Sequence, residues 1–226
     1  MEDILNKITP SIKEDMETIF FTSDLHADHA KIISICNRPI EVKDFEGEKD
    51  LHNKEYKLKL NEVHNKWIID NVINKYVSKK DILYILGDVS LARREEAEKF
   101  IDKLNGSQKH LVIGNHDKNI HNSTRFNSIT QIKDFTYSKG ELNIHIVLCH
   151  YPMLSWNRKV HGSLHLFGHC HGRLKTNDLS MDVGIDSQEL HSITGGICRP
   201  LNLFEIVTYM SKKKSENNNY ELSYES

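Results

Sequence analysis

Short apolar runs, four to six residues long, recur along the chain and stop at polar residues. Thr18–Ser23, Asp81–Leu86, His110–Ile113, Asn143–Leu148 and Ser163–Phe167 are rich in Ile, Leu, Val, Phe and Tyr, as buried strands are. Between them a different period appears. Val63, Trp67, Ile68, Val72 and Tyr76 recur at helical spacing, and so do Ala97, Phe100, Ile101 and Leu104. Both stretches predict amphipathic helices packed on a sheet. From Tyr137 onward the pattern predicts successive short strands, including Ser180–Val183 and, after Pro200, a final strand Leu201–Tyr209. Helix-alternating strands followed by a strand-rich half fit α/β or α+β, and periodicity does not choose between them.

Two segments stand outside this pattern. Asn37–Asn61 is rich in Lys and Glu and either caps a site or extends a helix. Ser211–Ser226 is polar and of low complexity, which predicts a disordered tail and leaves residues 1–210 as one domain. A chain of 226 residues suffices for a single sizeable core. With 27% charged and 38% hydrophobic residues the composition is that of a globular protein. No apolar stretch reaches bilayer-spanning length, and Met1–Ser11 lacks a signal-peptide core, so a cytoplasmic location with no membrane association is expected. The four cysteines have no metal-finger spacing and are expected as reduced thiols. A net charge of −2 argues against strong general nucleic-acid binding.

The polar residues that end the runs change the picture from fold to chemistry. Five motifs follow in order: Asp24-Leu25-His26, Gly87-Asp88, Gly114-Asn115-His116-Asp117, Cys149-His150 and Gly168-His169-Cys170-His171. Taken singly each is weak, because Gly, Asn and Asp serve any turn. Together they present two carboxylates, an amide and several imidazoles from strand ends, where loops leave side chains free to converge. That set suits a pair of divalent metal ions. Mixed nitrogen and oxygen donors favour Mn, Fe or Zn over Mg and Ca. Cys149 and Cys170 alternate away from the ligands and are expected as small buried hydrophobes.

The order DxH, GD, GNH(D/E), H, GHxH resembles that of the calcineurin-like metallophosphoesterases, with every position filled between about Phe20 and Asp186. Asn37-Arg38-Pro39 is also similar to a feature of small single-domain phosphoesterases of bacterial and phage type. The resemblance implies two facing mixed β-sheets flanked by helices, a four-layer αββα sandwich with the metals at one end. It implies that Asp24, His26, Asp88 and His171 hold one ion, and that Asp88, Asn115, His150 and His169 hold the other. A carboxylate can bridge two cations roughly 3.5–4 Å apart, which suits the shared Asp88, and water between them supplies a hydroxide for in-line attack on phosphorus.

In the same family pattern His116 faces the substrate, donating a proton to the leaving oxygen or a hydrogen bond to a phosphoryl oxygen. Asp117 is expected to orient His116. Arg38 is the leading candidate for a phosphate contact, ahead of Arg158, Arg173 and Arg199. His29 either reaches the site, one helical turn after His26, or is a satisfied surface histidine. The expected activity is hydrolysis of a phosphodiester or phosphomonoester, with a nucleotide or cyclic nucleotide among the substrates. The competing class is a protein-interaction module that keeps the fold without catalysis.

Overall fold

A computed structural model of the chain describes the backbone of residues 2–221 and the side chains of residues 4–213. Helices α1 (Glu2–Leu5) and α2 (Pro10–Met16) precede strand β1 (Ile19–Thr22), and helices α3 (Ala30–Ile35) and α4 (Lys54–Trp67) lead to strand β2 (Ile82–Ile85). Helix α5 (Arg94–Asp102) precedes strands β3 (Gln108–Val112), β4 (Ser128–Thr130), β5 (Ile132–Lys139), β6 (Leu142–Cys149), β7 (Leu164–Phe167) and β8 (Ser180–Asp182). Helix α6 (Gln188–Thr194), strand β9 (Leu201–Asn202) and helix α7 (Leu203–Glu221) follow.

The strands form two mixed sheets flanked by helices. One has the order β4-β3-β2-β1-β9, parallel except for β9, and the other has the order β5-β6-β7-β8, parallel except for the β5–β6 pair. Side-chain alternation assigns the faces. Phe21, Tyr84 and Leu86 point between the sheets, where they join Ile144, Ile146, Leu148, Leu166 and Met181. Phe20, Leu83 and Ile85 point the other way and pack with Ile68, Val72, Phe100 and Ile101. Helix α4 continues into a π-helical turn, Ile68–Ile73, whose wider spacing still buries Ile68, Val72 and Ile73.

Parallel pairing brings the carboxyl ends of β1, β2 and β3 to one edge. A parallel bridge between Ser23 and Gly184 ties that edge to the end of β8 in the second sheet. The loops that carry the five motifs therefore open at one end of the sandwich.

The segment 37–61 has two parts. Residues 54–61 begin α4, which Asn53 caps by accepting hydrogen bonds from the backbone N–H of Glu55 and Tyr56 at 3.0 and 3.3 Å. The loop before it is anchored by Val42, buried with Ile32, Ile33 and Leu60 in a small separate core.

The C-terminal stretch departs from the sequence expectation. The final strand stops after Asn202, and the chain turns helical. Asn202 and Glu205 form a reciprocal capping box: Glu205 N–H donates to Asn202 Oδ1 at 2.9 Å, and Asn202 N–H donates to Glu205 Oε2 at 3.0 Å. Leu203, Ile206, Val207 and Met210 then fall on one helical face and are buried. The helix also runs through the segment expected to be a tail. Ser211 is buried, and Lys213 Nζ donates to Thr176 Oγ1, the Ser180 carbonyl and Glu189 Oε1 at 2.8–2.9 Å. Residues 222–226 of that expected tail lie outside the described residues. Deleting residues 211–226 is expected to cost about 1.5–3 kcal/mol, the worth of a hydrogen bond from a charged donor. At about 2–4 °C per kcal/mol for a chain of this size, calorimetry would read a fall of several degrees.

Candidate metal centre

Five of the seven candidate ligand residues leave their strands in an unusual backbone conformation. Asp24, His26, Asp88, His169 and His171 all have positive φ, between 48° and 69°. Such left-handed residues cost of order 1–3 kcal/mol each and persist only where surrounding structure holds them. Here it does: the backbone N–H groups of Asp24 and His26 donate to the carbonyls of Gly87 and Asp88 at 3.1 and 2.9 Å. His169 N–H donates to Asp24 Oδ2, and His116 N–H to Asp88 Oδ1, both at 2.9 Å. Two glycines are fixed by close approach. A Cβ at Gly168 would collide with the Ser23 hydroxyl and the Asp24 carboxylate, and one at Gly87 (φ 89°) with the His150 ring.

Three groups of donor atoms result among the described residues, each with its ligand atoms within 4.8 Å of one another: Asp24 with His26 and His171, Asp88 with His150 and His169, and, on the far side of the His171 ring, Cys36 with His171 and Asp186. Asp24 Oδ1 lies 3.8 Å from His26 Nε2 and 3.7 Å from His171 Nε2. Asp88 Oδ2 lies 3.5 Å from both His26 Nε2 and His150 Nε2, between the first two of these clusters. Asn115 Oδ1 is 3.1 Å from His150 Nε2 and from His169 Nδ1. Around an ion with bonds of about 2.0–2.2 Å, neighbouring donors lie roughly 3–3.5 Å apart; the spacings around Asp88 and Asn115 fall in that range, and those around Asp24 are slightly wider.

A family model described as calcineurin-like phosphoesterase matches residues 17–182, the span that contains every one of these donors. The chain belongs to the calcineurin-like phosphoesterases. It is 26% identical over 201 residues to the Gene 66 protein of Mycobacterium phage D29, covering 76% of this chain and 89% of that one. It is 35% identical over 105 residues to the uncharacterized protein MJ1445 of Methanocaldococcus jannaschii, covering 46% of this chain and 48% of that one. The crystal structure of AQ665, a protein of unknown function from Aquifex aeolicus, aligns with a TM-score of 0.54 at 21% identity, covering 84% of this chain and 97% of that chain. At that identity the likeness is one of fold.

The donor set of this calcineurin-like phosphoesterase fits divalent metal on a further observation. Asp24 Oδ1 and His26 Nε2 are buried and have no hydrogen-bond partner among the described residues. A buried polar atom left without a partner costs about 1–3 kcal/mol, a penalty that a cation at this position removes. The ring nitrogens are set for the same task. His150 Nδ1 faces the Leu86 carbonyl at 2.7 Å and His171 Nδ1 faces Asp186 Oδ2 at 2.9 Å, so both rings turn Nε2 toward the donors. Burial alone would raise the Asp88 pKa, but His150, the His116 N–H and His26 bring it down to about 2, so the central carboxylate is anionic. Burial likewise opposes a charge on His171, yet Asp186, Cys36 and Asp24 lift its pKa to about 10. An ion held by that cluster would have to displace the His171 proton.

Among the other expected site residues, His116 and His29 gather at the rim. The His116 ring lies 5.5 Å from that of His26, edge toward face, and the His29 ring lies 5.3 Å from His26 and 6.5 Å from His116. His29 arrives there by a loop and not by a helical turn, because α3 begins only at Ala30. Burial, followed by the charges of His26 and His116, lowers the His29 pKa to about 4.

Asp117 and Arg38 correct the sequence reading. Asp117 is fully buried, and its carboxylate accepts the backbone N–H groups of Asp88, Val89 and Gly114 at 2.8–2.9 Å. It clasps two ligand loops together and does not orient the His116 ring. Arg38 is 5% exposed, with its guanidinium hydrogen bonds directed to Asp186, His64 and the carbonyls of Asp24 and Leu25. No donor of the fork remains for a substrate phosphate. Arg199 is similarly taken by Glu205.

Sequence reasoning missed Asp186, His64 and Tyr151. Tyr151 packs its ring on His150 and His169 at 5.0 and 4.9 Å and is 45% exposed, and its place directly after His150 was the available signal. His64 sits inside α4 and accepts from Arg38 at 2.9 Å, which fixes its proton on Nδ1 because arginine only donates. Burial, then Arg38, lowers its pKa to about 3 from the ordinary 6.5. Above pH 6.5 the ring is neutral in both states. Between pH 6.5 and 3 the unfolded chain binds a proton that the fold refuses, so His64 makes stability fall by about 1.4 kcal/mol per pH unit of acidification. Urea unfolding at several pH values between 5 and 7 should show a shallower acid loss for His64→Gln than for the wild type.

Proposed function

We propose that this chain is a dinuclear-metal-dependent phosphoesterase acting on small phosphodiesters or phosphomonoesters, nucleotides and cyclic nucleotides among them. The observation that carries the reading is Asp88, placed at 3.5 Å from a histidine of the Asp24 cluster and from one of its own, with unpartnered Asp24 Oδ1 and His26 Nε2 beside it. Asp24, His26, Asp88 and His171 would hold one ion, and Asp88, Asn115, His150 and His169 the other. Two such ions supply Lewis acidity toward a phosphoryl group and a nucleophile drawn from water at neutral pH. The imidazole, carboxylate and amide donors of these two sets favour Mn, Fe or Zn.

The protein's own residues supply the rest. Two divalent ions outweigh two carboxylates, so the mouth attracts a phosphate. His116 and His29 line that mouth, where His116 can protonate the leaving oxygen or hydrogen-bond a phosphoryl oxygen. Among the described residues no helix is long and apolar enough to cross a membrane, and the four cysteines are free. A cytoplasmic setting is part of the same proposal.

The test is hydrolysis of bis(4-nitrophenyl) phosphate and 4-nitrophenyl phosphate by metal-free and manganese-loaded protein. Turnover of either ester that needs the metal and is lost with chelator is expected. Protein with two bound ions and no turnover on esters or cyclic nucleotides would instead support a binding module.

A further inference from the structure

We propose that Arg38 is a positioning residue for the ion of the Asp24, His26 and His171 cluster, acting through Asp186 on the His171 ring and through the Asp24 and Leu25 carbonyls on the ligand loop. This role presupposes the two-ion reading of the site and adds to it a determinant of affinity for one ion only.

The local sequence aims Arg38 inward. Helix α3 ends at Ile35, Cys36 follows, and Asn37 takes the left-handed conformation with φ 51°. Arg38 N–H then donates back to the Ile33 carbonyl at 2.9 Å, closing the six-residue loop of a Schellman motif, and Pro39 prevents the helix from continuing. Asn is among the few residues that accept a left-handed position, which accounts for Asn37-Arg38-Pro39 as a unit.

From there the planar fork reaches four targets. Nε and Nη2 grip Asp186 Oδ1 and Oδ2 at 3.0 and 2.7 Å, a bidentate pair. Nη2 also donates to the Asp24 carbonyl at 2.6 Å, and Nη1 to the Leu25 carbonyl at 2.7 Å and to His64 Nε2 at 2.9 Å. Asp186 in turn accepts from His171 Nδ1, which leaves Nε2 facing Asp24 Oδ1. One side chain thus holds the backbone of one proposed ligand and, through one carboxylate, the ring of another. The Asp88, His150 and His169 cluster receives no contact from it. His150 is instead oriented by the Leu86 carbonyl.

A lysine cannot reproduce this. It offers three donors on one nitrogen and no planar fork, so it cannot hold Asp186 bidentately and also reach both carbonyls. Removing groups that orient metal ligands typically costs 10–100-fold in metal affinity.

The experiment is calorimetric titration of metal-free protein with Mn2+, comparing wild type, Arg38→Lys and Asp186→Asn, with circular dichroism to confirm folding. The expected result is two ions in the wild type, and in both variants one ion weakened about 10–100-fold while the other binds as before. Selective loss of one ion is not what general loosening of a fold would give. If buried Arg38→Lys fails to fold, Asp186→Asn carries the comparison, because it keeps the side-chain shape and removes the charge. Two undiminished ions in folded Asp186→Asn, or equal weakening of both, would overturn the role of Arg38. A wild type that binds fewer than two ions would instead remove the two-ion reading itself.

Discussion

Replacing Asp88 by asparagine should empty both metal positions and reduce phosphoesterase turnover by on the order of 10³-fold or more. The carboxylate lies 3.5 Å from His26 in one cluster and 3.5 Å from His150 in the other, and it carries a full negative charge because its pKa is held near 2. An amide of the same shape keeps an acceptor for the His116 N–H but loses the second anionic oxygen that two cations would share. Metal-ion catalysis is worth several kcal/mol of transition-state stabilisation, and each 1.4 kcal/mol is about tenfold in rate. Asp24→Asn should behave differently, depleting mainly the ion held with His26 and His171. Elemental analysis of the two purified variants separates these outcomes. Full and equal occupancy of both ions in Asp88→Asn would show that Asp88 does not bridge.

His116→Ala is expected to keep both ions and to lose turnover according to the leaving group. If the imidazole protonates the departing oxygen, an alkyl phosphate ester should slow by roughly 10²–10⁴-fold, the usual worth of a general acid. A nitrophenyl ester should slow much less, since nitrophenolate departs without a proton. The comparison requires equal metal content in both proteins, and the geometry favours this because His116 contacts Asp88 only through its backbone N–H. Equal loss on the two esters would assign His116 to positioning the phosphate. No loss on either would remove it from the reaction.

The loops that carry the five motifs were legible because the information is local. Each apolar run ends at its motif, and parallel strands necessarily bring those ends to one edge. The outer support was not, because it depends on pairings distant in sequence: Arg38 and Asp186 meet across nearly the length of the domain, and nothing near either residue announces the other. Asp117 misled for a related reason. Adjacency to His116 suggested a partner for the ring, whereas its buried carboxylate closes on three backbone N–H groups of neighbouring loops. The C-terminal helix was legible but misread. Leu203, Ile206, Val207 and Met210 have helical spacing, and Asn202 with Glu205 has the spacing of a capping box, yet the β-branched residues in that run favoured a strand. Extending a polar tail inward to Ser211 then overlooked Lys213, whose charge finds Glu189 on the neighbouring helix.

Electron paramagnetic resonance of metal-free protein titrated with Mn2+ tests the paired site most directly. With Asp88 shared between the two ions as proposed, two ions per chain should bind close enough to couple, and the isolated-ion six-line signal should give way to the broad multiline spectrum of a manganese pair. Binding of a single ion per chain, or of two that retain uncoupled six-line spectra, would contradict a shared carboxylate at the centre of the site.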